Sequence, residues 1–267
     1  MTMTDSQHYW EQRLSKNFND KGVGDIGLPE SYNHYLYQIR KLVFKRAVSI
    51  SALQTPDAKI LDVGSGTGFY IKNWLALGAK QLEGSDITRV AVDNLRHRFP
   101  SVRFTQADIG DNNSQWQSDS FDCISTFDVL FHITDDTRYS SAINNIANIL
   151  KPNGTFLYSD NLIRKPFNVN HQVGRTEASI LQNLNRAGFR IMARIPMFVL
   201  MNDPVRSESK LLKKSFSTIY RIASMSSSTG RILGMALYPL ETALTKLVKN
   251  GPSTEVLICQ KTQNTRT

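Results

Sequence analysis

From Lys59 to Tyr70 the chain reads Lys-Ile-Leu-Asp-Val-Gly-Ser-Gly-Thr-Gly-Phe-Tyr. A short apolar run (Ile60, Leu61, Val63) gives way to glycines at alternate positions, Gly64, Gly66 and Gly68, separated by Ser65 and Thr67, with Asp62 two residues before the first. Glycine has no Cβ, so a turn of this kind lets a ligand lie against the backbone where a buried strand ends and a helix begins. The spacing discriminates among ligands. A pyrophosphate-binding fingerprint, G-x-G-x-x-G, holds phosphate at the helix N-terminus and would place its third glycine one residue later. A carboxylate at Asp62 would also repel a pyrophosphate. The loop suits a nucleoside without phosphate whose amino-acid end is cationic, and S-adenosylmethionine meets both conditions.

Further residues able to do chemistry follow in order. Asp86 stands at the predicted end of the second strand, where a carboxylate can accept hydrogen bonds from both ribose hydroxyls; Thr88 is placed to cap the next helix. Asp108 ends a third short strand. His132 follows a fourth strand, and imidazole titrates in the range a base for a hydroxyl nucleophile requires. His171 with Arg175 forms a second polar pair. In the N-terminal helix, Tyr32, Asn33, Tyr37 and Arg40 are candidates to close over a ligand, with Arg40 able to pair with its carboxylate.

Asp-Val-Gly-Ser-Gly-Thr-Gly resembles motif I of the class I S-adenosylmethionine-dependent methyltransferases, and residues 121–133, Phe-Asp-Cys-Ile-Ser-Thr-Phe-Asp-Val-Leu-Phe-His-Ile, resemble motif IV of the small-molecule branch. The resemblance implies that Asp62, Gly64, Ser65, Gly66, Thr67 and Gly68 pack against the methionine part of the cofactor. It implies that Asp86 with Ile87 meets the ribose, that Asp108 and Ile109 meet the adenine, and that Thr126 and Phe127 border the sulfonium. The D/N-P-P-Y/F motif of the amino-methylating nucleic-acid branch is absent, so no nucleic-acid substrate is expected. The expected activity is methyl transfer to a small molecule, at oxygen ahead of nitrogen, with His132 as base. The rival readings are a nicotinamide-dependent oxidoreductase, disfavoured by the glycine spacing, and a noncatalytic nucleoside-binding module.

These residues require a scaffold in which strand and helix alternate. The pattern predicts strands at Lys59–Val63, at residues 80–85 and 102–105, at Phe121–Thr126 and at residues 155–159, the last preceded by a turn at Lys151-Pro152-Asn153-Gly154. A helix is expected over residues 67–77. The alternation means a parallel sheet covered on both faces; with two more strands, over residues 189–199 and 254–261, the resemblance implies an α/β, seven-stranded Rossmann-like methyltransferase sheet, six strands parallel and the last antiparallel. Residues 1–54 are expected to form a helical lid, residues 55–202 and 251–267 the core, and residues 203–250 a helical insertion between the last two strands. That insertion reads as helices over 207–225 and 231–248 joined by a turn.

The net charge of +9 is concentrated in the insertion: from Arg206 to Lys249 there are eight basic residues against Glu208 and Glu241. Its first helix, with Leu211, Leu212, Phe216, Ile219, Tyr220 and Ile222 among lysines, reads as a cap over the substrate, a membrane-surface helix or a dimer contact, and points to an acidic or lipid-linked acceptor. The sequence leaves the oligomeric state open. Cys123 and Cys259 fall within apolar strands and are expected as buried free thiols. No His or Cys spacing fits a metal site. No signal-peptide pattern opens the chain, so a cytoplasmic location is expected.

Overall fold

The computed structural model describes residues 5–111, 115–169 and 171–263. Three helices come first: α1 (Asp5–Lys16), the single turn α2 (Asp20–Val23) and the long α3 (Glu30–Ile50). The alternating part follows as β1 (Lys59–Val63), α4 (Phe69–Ala76), β2 (Gln81–Asp86), α5 (Arg89–Arg98), β3 (Arg103–Gln106) and β4 (Phe121–Thr126). It continues with α6 (Asp136–Ile149), β5 (Leu150–Asp160), a small hairpin of β6 (Phe167–Val169) and β7 (Gln172–Gly174), and α7 (Glu177–Arg186). The chain closes with β8 (Phe189–Pro196), α8 (Lys210–Ser224), α9 (Ser227–Leu247) and β9 (Glu255–Lys261).

The main sheet has seven strands in the order β3-β2-β1-β4-β5-β9-β8. β9 pairs antiparallel with both β5 and β8, so it alone runs against the other six. The expected sheet is therefore present. Its order reverses between β1 and β4, and a crevice opens beyond the carboxyl ends of these strands, where doubly wound sheets place their ligands. Asp62 to Gly68, Asp86 and Phe127 all leave the sheet on that edge. Thr88 caps α5 by accepting from the Ala91 N–H, as its position predicts.

Three local expectations are corrected. The expected turn at residues 151–154 lies inside β5: the strand starts at Leu150 opposite Phe121, and the extra residues bulge before pairing resumes at Thr155. Asn153 absorbs the bend with φ of +61°. α4 begins at Phe69, since the preceding turn holds positive φ. In the insertion, α9 starts directly after Ser226, which caps it with Thr229 in a reciprocal capping box, so only Met225 and Ser226 join the two helices.

The expected lid also divides. Ile39, Phe44 and Ala47 of α3 are fully buried and share a core with Ile60, Trp74 and Val256. α3 therefore covers one sheet face with α4 and α5, while Ile143 and Ile146 of α6 and Ile180 of α7 cover the other. α1 and α2 contribute no residue to that core. Cys123 and Cys259 are buried and unpaired.

Candidate cofactor and acceptor site

The Gly64–Gly68 turn is held from below. Gly64 and Ser65 both donate their N–H to the Ser85 carbonyl at 2.8 Å, and Gly68 donates to the Ser65 carbonyl at 2.8 Å. Gly64, Gly66 and Gly68 have φ of +74°, +52° and +86°. At Gly64 two demands coincide: the left-handed backbone disfavours any L side chain, and a Cβ would stand 2.3 Å from Val129 Cγ2. The loop backbone thus stays bare along one wall of a cavity of about 520 Å³.

Gly64, Ser65, Gly66, Thr67, Asp86, Ile87, Asp108, Ile109, Phe127, Arg40 and His132 line this cavity. Asp86 is buried; one carboxylate oxygen accepts from the Gly66 N–H at 2.8 Å, the other from the N–H and hydroxyl of Thr88 at 2.9 and 2.7 Å. Burial raises its pKa above the ordinary carboxylate value. Asp108 accepts from the Gly110 N–H and from Arg138, whose guanidinium also reaches Asp111 at 2.8 Å. Asp62 lies beneath the loop and off the cavity wall, 1% exposed. One of its oxygens accepts from Ser125 Oγ at 2.7 Å; the other is buried without a partner. Burial pushes this carboxyl up to about 7, against the opposing hydrogen bonds from Ser125 and Ser65.

Arg40 lies between the Tyr37 and Phe198 rings and binds Asp128 at 3.0 Å. Asp128 itself has φ of +59°, fixed by its N–H to Ser159 Oγ at 2.7 Å. A non-glycine residue in that region beside a cavity stores strain typical of functional sites. Phe127 stacks on Tyr70 at 4.3 Å between centroids, and the Tyr70 hydroxyl is buried without a partner. Asp128, Arg138 and Tyr70 were not singled out from the sequence. Asp128 lies inside the motif that was, but its backbone conformation has no sequence signature.

The far end of the cavity is built by α1 and the β6–β7 hairpin. The His132 ring donates from Nδ1 to the His171 carbonyl at 2.8 Å and meets Trp10 edge-on at 4.9 Å. Burial lowers its pKa to about 4, so the imidazole is neutral at physiological pH with Nε2 as its free acceptor. His171 stacks on Tyr9 at 4.4 Å. The expected pairing of His171 with Arg175 is not formed. Arg175 is buried elsewhere, on Asp136 and the Ile133 carbonyl, over the Tyr139 ring. Arg13 of α1 takes the place beside the histidines: it donates to the Tyr9 hydroxyl at 2.9 Å and the Gly24 carbonyl at 2.6 Å, and lies 4.9 Å from the Trp10 centroid. Among the described residues no carboxylate pairs with it, and its Nε is buried without a partner.

Residues 60–154 match a family model described as a methyltransferase domain. The chain carries a class I S-adenosylmethionine-dependent methyltransferase domain. No curated protein sequence matches the chain significantly. Among solved structures, a chain of the complex between the Haloferax volcanii Trm112 methyltransferase activator and its partner is 16% identical, with TM-score 0.61, covering 95% of this chain and 98% of that one. Magnesium protoporphyrin IX methyltransferase from Synechocystis PCC 6803, solved with bound S-adenosylmethionine, is 14% identical, with TM-score 0.59 and coverage of 98% and 99%. A Leishmania major S-adenosylmethionine-dependent methyltransferase is 15% identical, with TM-score 0.59 and coverage of 76% of each chain. At these identities the likeness is one of fold.

The methyltransferase site fits its cofactor by its own chemistry. A sulfonium amino acid brings an ammonium, a carboxylate and a ribose diol. The unpartnered Asp62 oxygen and Tyr70 hydroxyl, the Arg40–Asp128 pair and the spare lone pairs of Asp86 are complementary to these groups. α1 closes over them. Ser6 Oγ donates to the His132 carbonyl at 2.6 Å, and Glu11 accepts the N–H groups of Arg89 and Val90 at 2.8 and 3.0 Å, capping α5 from outside. Because a carboxylate at a helix N-terminus stabilises by about 1 kcal/mol, Glu11→Ala is expected to speed S-adenosylhomocysteine dissociation about fivefold in stopped-flow experiments, with the melting temperature nearly unchanged. An unchanged off-rate would show that α1 is not the gate.

Proposed function

We propose that this methyltransferase methylates an oxygen of a small acidic acceptor, free or lipid-linked. The observation that carries this reading is Arg13: a cation on the cavity wall with no carboxylate partner among the described residues, beside two histidines. Leaving a guanidinium unpaired in a half-buried site is costly unless an anionic ligand completes it. The cavity continues past Asn202, Asp203 and Val205 at the foot of the insertion, which supports an acceptor that extends beyond the site.

When bound, S-adenosylmethionine supplies a methyl carbon activated by the adjoining sulfonium. The protein's part is alignment and exclusion of water. Arg13 holds the acid group of the acceptor. Phe131, Phe167 and Trp10 provide apolar wall around the reacting atoms. The His171 carbonyl fixes the His132 tautomer so that Nε2 can receive the proton of a hydroxyl acceptor. With its pKa lowered to about 4 the imidazole is a weaker base than its type suggests from the sequence, so it takes the proton only as the bond from oxygen to the methyl carbon forms, and then releases it to water. A carboxylate acceptor would need no base, and His132→Ala separates the two cases: the rate falls for a hydroxyl and holds for a carboxylate.

The acceptor is found by tritium transfer from labelled cofactor into cell extract, followed by identification of the product. Once it is in hand, Arg13→Ala is expected to raise its KM by about tenfold or more, with Arg13→Lys recovering part of the loss and S-adenosylhomocysteine affinity unchanged within twofold. A cationic acceptor, or a KM insensitive to Arg13, would overturn the reading.

A further inference from the structure

α9 turns apolar side chains to both of its sides: Leu233, Leu237 and Tyr238 pack half-buried against the core. The residues it buries most deeply are Gly230, Gly234, Glu241 and Thr245, small or polar, where it lies against α3 and the turn after β8. Those it exposes include Ile232 at 63%, Met235 at 60%, Leu240 at 48% and Leu247 at 76%. The inward choice has local causes. A Cβ at Gly234 would meet the Tyr35 ring at 2.3 Å, and one at Gly230 would meet Pro29 at 2.6 Å, so α9 lies close against α3. Glu241 accepts the Val199 and Leu200 N–H groups at 2.7 and 2.8 Å, satisfying a turn after β8. Nothing in the fold explains the outward choice. At helical spacing Ile232, Met235, Ala236, Pro239, Leu240, Ala243 and Leu247 share one face, and no acidic residue falls on it.

α8 differs in its outward face. Its apolar residues Phe216, Ile219 and Tyr220 turn partly inward and its lysines outward, so the helix whose amphipathic pattern stands out in the sequence offers mainly charge. Leu211 and Met225, at 76% and 72% exposure, add apolar points at its two ends.

We infer that the α8–α9 hairpin docks the enzyme on an anionic lipid surface, with the outward face of α9 entering the interface and the bases of α8 meeting the headgroups. Charge selects this occupant. From Lys210 to Lys249 there are seven basic residues, all exposed, and the one acid, Glu241, is fully buried. A second copy of the chain would bring the same cations to the same patch across a two-fold axis and be repelled. No helix among the described residues is long and apolar enough to cross a membrane, so the contact is peripheral. It does not depend on the identity of the methyl acceptor.

The test is co-sedimentation of the full chain with phosphatidylcholine vesicles, with and without phosphatidylglycerol. The enzyme is expected to pellet with the anionic vesicles, to be released by high salt, and to ignore pure phosphatidylcholine. Ile232→Ser with Met235→Ser should weaken binding by about tenfold or more, and Lys213→Glu with Lys214→Glu comparably, while both variants keep the parent melting temperature and S-adenosylhomocysteine affinity. Failure to bind anionic vesicles overturns the inference. So does a dimer in sedimentation equilibrium that the Ile232 and Met235 substitutions dissociate, since the face would then belong to a second copy.

Discussion

Asp86→Ala is expected to lower the affinity for S-adenosylhomocysteine by about 100-fold, the largest loss of any single side chain at the cofactor end. Each hydrogen bond to a charged group is worth about 1.5–3 kcal/mol. Asp86 holds three that are internal, from the Gly66 N–H and from Thr88 N–H and Oγ1, and it keeps lone pairs directed at the cavity. Removing it strikes twice. The ribose loses its acceptors, and the Gly66 N–H is left unsatisfied in a loop held at φ of +52°. Asp86→Asn separates these effects poorly, because its amide nitrogen would face either Gly66 or Thr88 donor to donor. A better separation comes from adenosine and methionine as isolated ligands: adenosine binding should vanish, and methionine binding should weaken only as far as the loop loosens. Titration calorimetry with a parallel melting curve makes the measurement, and an affinity within threefold of the parent would remove Asp86 from the ribose assignment.

The parts of this site that the sequence exposes are those set by neighbours along the chain. Alternate glycines demand positive φ wherever the loop goes, and a carboxylate at a strand end stays at the crevice because the sheet puts every such end there. The parallel pairing of most of the sheet follows from the same local alternation. What escapes is set by contacts across long stretches of chain. Periodicity shows that α3 is amphipathic but not that Phe44 and Ala47 lie at the centre of a sheet face, so α3 reads as a lid. His171 and Arg175 look like a pair at four residues' separation, yet a strand of the β6–β7 hairpin intervenes and Asp136 captures the arginine. Arg13 and Glu11 carry no motif at all; their importance comes from what α1 lands on. The bulge in β5 defeats a different rule, since Pro152 and Asn153 carry the residue signals of a turn, and a strand bulge uses the same backbone freedom.

Cofactor affinity is expected to rise with pH from 5.5 toward 7, approaching tenfold per unit, with nearly one proton released per site at pH 6. Burial holds the Asp62 carboxyl at about 7, so without cofactor it is mostly protonated at pH 6. Its unpartnered oxygen lies beneath the loop and is expected to meet the cofactor's ammonium through a water, and a cation there favours the carboxylate. The stability linkage runs the same way. A carboxyl raised above its unfolded value contributes stability that is full below about pH 4 and lost as pH rises through 7. His132 has the opposite sign: with its pKa depressed to about 4, its contribution is full above about 6.5 and lost as pH falls through 4. The two slopes oppose each other over the same interval, while Asp160, pushed up to about 6 by burial, and Asp86 and Glu241, also raised, add to the Asp62 slope, so the melting temperature of the cofactor-free protein would not isolate Asp62. Binding does, because the ligand acts on the carboxyl and leaves the imidazole neutral throughout. Calorimetry at pH 6 in two buffers of different ionisation enthalpy counts the protons released. Asp62→Asn should bring the count close to zero and flatten the pH dependence, and what remains in that variant is the share of Asp86, whose pKa burial also raises. Proton-neutral binding by the parent protein at pH 6 would mean that the ammonium is held elsewhere, with Asp128 beside Arg40 as the next carboxylate to replace.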